Sequence, residues 1–236
     1  SDGSCSRKHC LITFTGDTAL EWRVKYAKPF FDHWLKGGPD PRTPPVLTYA
    51  TGVNQWNVSQ RWPMGTAKSI YLAADGVATF NKPGTSGHEE YISDPAKPVP
   101  FIPRPIDMGD PMQWKPWLVQ DQRFVTGRPD VAFWTSAPLE KGVHIMGAPE
   151  VELFASTTGT DSDWVVKLID VYPNDVPEAA SQGAKPSMAG YELAIGIEIF
   201  RGRYLKSFAK PSPLEPGKVE RYTWKLPDVD HVFRPG

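Results

Sequence analysis

The stretch Leu193-Ala-Ile-Gly-Ile-Glu-Ile-Phe200 decides the fold class. Leu193, Ile195, Ile197 and Ile199 recur at every second position, which lays them along one face of an extended strand. Upstream, Trp164-Val-Val-Lys-Leu-Ile-Asp-Val171 is a second run rich in strand-favouring residues. Similar runs lie at Val46–Thr51, Ser69–Ala73, Val131–Trp134, Val143–Met146, Val151–Ala155 and Val219–Leu226. The segments between them carry Pro, Gly, Asp and Asn, the residues of turns. The 236 residues include 25 Pro and 20 Gly, a density that breaks long helices. Short strands without interspersed helices point to a mainly β chain, an antiparallel sandwich or jelly roll.

One helix stands apart from this pattern. Leu20, Val24, Ala27, Phe31, Trp34 and Leu35 share one face at a 3.6-residue period. Thr18 and Glu21 have the spacing of a capping box at its start. Pro29 should kink it, and Gly37, Gly38 and Pro39 should end it. No other segment reads as a helix able to cover the apolar face. At the far end, Phe233-Arg-Pro-Gly236 is a turn signal with no strand after it, although an antiparallel edge calls for one. Both features lead us to expect a piece of a longer protein, its sandwich truncated at the C-terminus.

Composition narrows the function. Lys and Arg number 26 against 27 Asp and Glu, so there is no single-sign field to draw in nucleic acid or an anionic membrane. No apolar run approaches the roughly 18 residues that span a bilayer. The 9 Trp, 8 Tyr and 11 Phe furnish a core.

Motifs of catalysis are missing. An α/β serine hydrolase needs Gly-x-Ser-x-Gly at a strand-to-helix elbow. The nearest string, Gly84-Thr-Ser-Gly87, has the wrong spacing and reads as a turn. His9, His33, His88, His144 and His231 are scattered, with no spacing that pairs two ligands. Cys5 and Cys10 can be a small disulfide loop, two free thiols, or half a metal site. Asp161 and Asp163 can ligate calcium or cap a tight turn. Asp170, inside a strand, needs a partner such as Arg201 or Arg203 if buried. Asn54, Trp56, Trp62, Trp114 and Trp117 read as loop clusters that either line a cleft or pack between domains. The loop at 52–62, a short way along the chain from the helix, is expected to place Trp56 against that helix or at a cleft mouth, or else to tuck it into the sandwich itself. No catalytic, cofactor-binding or metal-binding residue is assigned.

The string Gly159-Thr-Asp-Ser-Asp-Trp-Val-Val-Lys-Leu-Ile-Asp-Val-Tyr-Pro173 resembles the C-terminal jelly-roll region of the α-amino-acid ester hydrolases. These belong to a wider group with cocaine esterase, the X-Pro dipeptidyl peptidases and the β-lactam acylases. Gly16-Asp-Thr-Ala19, Pro29-Phe-Phe-Asp32, Glu90-Tyr-Ile-Ser-Asp-Pro-Ala-Lys-Pro-Val-Pro100 and Ile199-Phe-Arg-Gly-Arg-Tyr204 agree with it. The resemblance implies that residues 1–44 end an α/β-hydrolase domain and that 45–236 form a galactose-binding-like jelly roll. It implies a parent enzyme that cleaves or transfers α-aminoacyl groups of esters and amides, β-lactam antibiotics or X-Pro peptides among them. A Ser-His-Asp triad would do so without a cofactor. The Ser, the Asp and the oxyanion donors would all precede this segment. His9 lacks the family's Pro-Trp-Arg-His surroundings and is not assigned the triad role. By the same resemblance the chain alone is inactive, its partners are the rest of the polypeptide and a small ester or amide, and the parent is a homo-oligomer. The resemblance also implies a periplasmic or secreted location. The rival expectation is a free-standing carbohydrate-binding-like β-sandwich.

The neighbourhood of Cys5 and Cys10 offers too few further ligands for zinc. Metal analysis of the purified protein should therefore find none in stoichiometric amount. Zinc that is lost in a Cys5→Ser variant would contradict this.

Overall fold

A computed structural model describes residues 16–63, 65–102, 105–107, 109–110, 117–176 and 188–236. Cys5, His9, Cys10 and Trp114, which the sequence analysis singles out, lie outside the described residues.

The described residues are mainly β, with a long helical segment at 18–36 ahead of the strands. That segment runs as α1 (Thr18–Trp22), a π turn (Arg23–Ala27) and α2 (Lys28–Lys36). Its cap differs from the expected box. Asp17 rather than Thr18 is the N-cap, and its carboxylate accepts from the Leu20 amide at 2.8 Å. Aspartate does this well because its short side chain folds back onto the first-turn donors, and its charge faces the positive end of the helix. The expected kink at Pro29 is instead a widened π turn just before it. Proline lacks an amide hydrogen and crowds the preceding turn, and wider backbone spacing relieves both problems. Gly37, left-handed at φ 67, closes the helix, with its amide donating to His33 O. One side of the helix is laced by Glu21–Lys25 and by Asp32 between Lys28 and Lys36. Hydrogen bonds from those two lysines hold the exposed Asp32 carboxyl down at about 2.

The strands pair in small sheets. Strands β1 (Val46–Ala50) and β2 (Gln55–Ser59) form an antiparallel hairpin. The sequence reading took 52–62 as a loop. It is a tight turn at Thr51–Asn54 followed by a strand, with Asn54 left-handed at φ 56. Strands β3 (Tyr71–Ala73) and β4 (Val77–Thr79) are antiparallel, and β5 (Thr135–Ser136) lies parallel to β4. The strand expected over 131–134 does not form; the two-residue β5 begins just after it. Strand β6 (Val143–Gly147) pairs with β11 (Val229–Phe233), β7 (Glu150–Ala155) with β10 (Glu220–Lys225), and β8 (Asp163–Val171) with β9 (Glu192–Arg201).

Period two holds well in β7 and β10. Val151, Leu153, Tyr222 and Trp224 point inward, while Phe154 faces solvent. It fails in β9. Leu168 pairs with Gly196 but Ile169 pairs with Ala194, so Ile195 is an extra residue in the ladder. Past this bulge the facing residues change parity. Phe200 is 8% exposed and Ile199 is 50% exposed, the reverse of the even alternation in the sequence.

Two cores result. Trp164, Phe200, Tyr222 and Trp224 stack between β8–β9 and β7–β10, with ring centroids 5.6–5.7 Å apart. Met188, Tyr191 and Leu193 form the second, with Val119, Tyr172, Val176 and Ile195 packed around them. The Tyr191 hydroxyl donates to the Val119 carbonyl, and burial pushes its pKa up. Lys167, half-buried, reaches Gln122 Oε1 at 2.7 Å, and burial lowers its pKa.

The turn of the β1–β2 hairpin presses against β11. Gly52 sits at φ 84, and a Cβ there would fall 2.1 Å from the Val232 carbonyl oxygen. Gly52→Ala should therefore destabilise the chain by about 1–3 kcal/mol through backbone strain and displacement of β11. Gly84→Ala, where a Cβ meets nothing within 4 Å, should not. Parallel urea melts check both.

Candidate functional site

The flagged residues that the structure brings together meet around the β1–β2 hairpin. Two clusters form there, one aromatic and one polar.

The aromatic cluster joins the helix to the sheet. Trp56 on β2 donates its indole N–H to Glu21 Oε2 at 3.0 Å. Its ring lies 6.0 Å from Tyr26 and 5.1 Å from Tyr49. Hydrogen bonds from Lys25 and Trp56 lower the Glu21 pKa. Beside this contact lies an open recess of about 500 Å³, lined by Trp22, Arg23, Tyr49, Thr51 and Trp56 with Thr18 and Ala19. The expectation that Trp56 touches the helix is met.

The polar cluster fastens the hairpin to β11. Thr51 donates its amide to Asp230 O at 3.0 Å, and Val232 donates to Thr51 O at 2.9 Å. Asp230 and His231 are neighbours in β11, so their side chains leave on opposite faces, and both are buried. On one face the Asp230 carboxylate accepts from Thr48 Oγ1 at 2.5 Å and from Asn57 Nδ2 at 3.1 Å, and meets His144 Nε2 at 2.6 Å. On the other, His231 Nε2 lies 3.0 Å from Asp170 Oδ2 and Nδ1 lies 2.7 Å from Thr51 Oγ1. A hydroxyl suits the Nδ1 position because it can donate to a neutral ring or accept from a protonated one.

Carboxylate, imidazole and hydroxyl in a row have the order of an acyl-transfer relay. Here the row is a structural tie. The imidazole is fully buried and has no face to offer a substrate. The Thr51 hydroxyl also lies 3.3 Å from the Asp230 carbonyl, inside the strand pairing.

Other candidates fall elsewhere. Asp170 does not pair with an arginine, because inward-facing Asp170 looks across at β11, while Arg203 reaches Asp161 and Arg201 lies 3.7 Å from Asp163. Asp161 and Asp163 thus have cationic neighbours, and Asp161 accepts from the Ser162 amide at 3.0 Å. Among the described residues no three His, Cys, Asp or Glu gather as a metal site. Trp62 donates to Asp228 Oδ1 at 3.0 Å, and Trp117 packs on Phe101 with centroids 4.8 Å apart. His33 Nδ1 lies 2.8 Å from Gly38 O at the helix end, and His88 is exposed beside Glu90.

Residues 41–236 match the family described as the X-Pro dipeptidyl-peptidase C-terminal non-catalytic domain. The chain belongs to this family. Its helix, at 18–36, precedes the matched residues. An α-amino acid ester hydrolase structure superposes with a TM-score of 0.87 at 48% identity, covering 96% of this chain and 38% of that one. An aminopeptidase from the marine sediment archaeon Thaumarchaeota archaeon does so at 0.87 and 41% identity, covering 98% of this chain and 37% of that one. The cocaine esterase of Rhodococcus sp. (strain MB1 Bresler) is 27% identical over 227 residues, 89% of this chain and 35% of that protein. The chain thus spans about a third of the length of the curated relatives it matches. A non-catalytic role agrees with the missing nucleophile elbow and with the buried imidazole of His231.

Removing the Asp230 carboxylate would strand Thr48, Asn57 and His144 without their shared acceptor. Asp230→Ala should cost about 2–4 kcal/mol by analogy with buried networks that lose one partner. His144→Ala, at a 40% exposed side chain, should cost less. Equal losses in chemical denaturation would mean that Asp230 does not organise the cluster.

Proposed function

We propose that this chain is the C-terminal portion of a serine hydrolase that cleaves or transfers α-aminoacyl groups of esters and amides. The observation that carries the reading is the 48% identity, at a TM-score of 0.87, to an α-amino acid ester hydrolase over nearly the whole chain. In this reading residues 1–44 end the α/β-hydrolase domain, and 45–236 are a jelly-roll sandwich that packs on it and walls part of the cleft. The triad, with Ser as nucleophile and His as base, lies in the preceding polypeptide. The longer protein works as a homo-oligomer in the periplasm or outside the cell. Its substrates are drawn from aminoacyl esters, β-lactam antibiotics and X-Pro peptides. Relatives named as an α-amino acid ester hydrolase and an aminopeptidase support the aminoacyl ester and peptide members of that range.

A free-standing carbohydrate-binding module would present flat aromatic rings on an open sheet face. Here Trp164, Tyr222 and Trp224 turn inward to one another and to Phe200, which supports the hydrolase reading.

The purified chain should not hydrolyse an α-aminoacyl p-nitrophenyl ester. The longer polypeptide should, and a fluorophosphonate should label its serine and stop turnover. Turnover by this chain alone that a serine-directed inhibitor abolishes would overturn the reading.

A further inference from the structure

Lys25, Lys28, Lys36 and Lys218 each rest on a carboxylate. Lys167 does not. It lies on β8, where its Nζ reaches Gln122 Oε1 at 2.7 Å and stands 5.4 Å from the centre of the Phe124 ring. Both neighbours are neutral. Gln122 is buried, and its own Nε2 donates to Gln120 O at 2.7 Å. It belongs to a short 3-10 turn, Gln122–Phe124, that Asp121 caps. The turn is tied to β9 by the pairing of Asp121 with Leu193. The acceptor that faces Lys167 is therefore fixed in place.

The carboxylates of the surrounding elements are engaged elsewhere. Asp121 accepts from the Arg123 amide and from Arg123 Nε. Glu192 accepts from the Thr126 hydroxyl. Glu198, opposite Val166, accepts from the Ile199 amide at 2.9 Å. On β8 itself Asp163 faces Arg201 and Asp170 meets His231. Among the described residues Lys167 has no ion pair, and burial lowers its pKa. A lysine so placed holds its proton less firmly, and more of it is free amine near neutral pH. The free amine leaves one hydrogen on Gln122 and keeps a lone pair for attack.

We propose that Lys167 is an acyl-acceptor site, a reactive amine on the sandwich that takes the acyl group of a small acyl phosphate without a catalyst. The amine nitrogen attacks the carbonyl carbon, and a C–N bond forms. The bond from that carbon to the bridging oxygen breaks. Inorganic phosphate leaves with the electron pair, and the proton shed by the nitrogen passes to it through water. The product is a neutral amide. Its N–H still donates to Gln122 Oε1, so the buried acceptor keeps a partner. The acyl chain has the Phe124 ring to lie on. The cost of a partly buried charge is gone. The folded chain thus favours the modified side chain, the reverse of a lysine paired with a carboxylate. This site is independent of the hydrolase reading.

Acetyl phosphate added to the full chain tests it. Lys167 and the exposed Lys141 are read by mass spectrometry of peptides from one digest. Each unit by which an amine pKa falls leaves about tenfold more free amine at neutral pH. Lys167 should therefore acetylate faster than Lys141 at about pH 7.5, by about fivefold. The ratio should shrink as the pH rises to about 10, because the exposed lysine goes on gaining free amine after Lys167 has saturated. A ratio no greater than one at the lower pH overturns the proposal. So does a ratio that stays flat or grows with pH, which is what greater access alone would give. Gln122→Glu sets a carboxylate against the ammonium, which then keeps its proton. Acetylation of Lys167 should slow by about fivefold or more at neutral pH, and that of Lys141 should not change. An unchanged rate at Lys167, in a variant with the parent's far-UV circular dichroism, also overturns the proposal. If that variant does not fold, the pH profile of the unaltered chain decides alone.

Discussion

Asp230 and His231 hold the molecule together at the point where it would otherwise come apart. They are adjacent in β11, face opposite ways, and are both buried. A strand buried on both faces usually carries two apolar side chains there. This one carries two ionisable ones, and each is satisfied by neighbours far away in sequence. Asp230 gathers Thr48, Asn57 and His144, while His231 links Asp170 to Thr51. Hairpin, β6, β8 and β11 therefore meet at one dipeptide. An apolar pair would tolerate sliding. Directional hydrogen bonds specify which residue faces which, at the risk of a large penalty when one partner is missing.

From this fixing point the arrangement extends toward the helix. The polar cluster sets the hairpin on β11, and Gly52 lets the turn approach the Val232 carbonyl closely. The hairpin then presents Trp56, whose indole reaches Glu21. The helix is thus placed by a short chain of specific contacts rather than by its large apolar stripe. That division leaves the stripe available for something other than its own sheet.

The sequence made the strand content plain, and also the isolated helix with its unpaired face. Trp56 was legible as a contact to the helix, since the short link between them keeps the two close. What was hidden followed physical causes. Strand β11 escaped notice because its central residues, Asp230 and His231, carry the polarity of a loop, and period-two reading counts apolar side chains. Strand β2 was masked by Asn54, Asn57 and Ser59, turn-favouring residues of which Asn57 serves Asp230. The partner of Asp170 was sought among nearby arginines, and it lies 61 residues downstream. No local signal marks that pairing. The capping box was a shift of one residue, with Asp17 outcompeting Thr18 for the first-turn amide.

The bulge at Ile195 carries a consequence for how this chain can change over time. Leu193 on one side of it and Phe200 on the other serve different cores, yet both must point inward from the same strand. Phe200 lies an odd number of positions along the chain from Leu193, so regular pleating would turn one of them outward. The extra residue corrects the parity. Strand β9 therefore has a fixed length between its two cores. Surface loops can gain or lose residues at little cost, but a single deletion here would sacrifice one core to keep the other. Substitutions can accumulate along β9 while its residue count stays frozen.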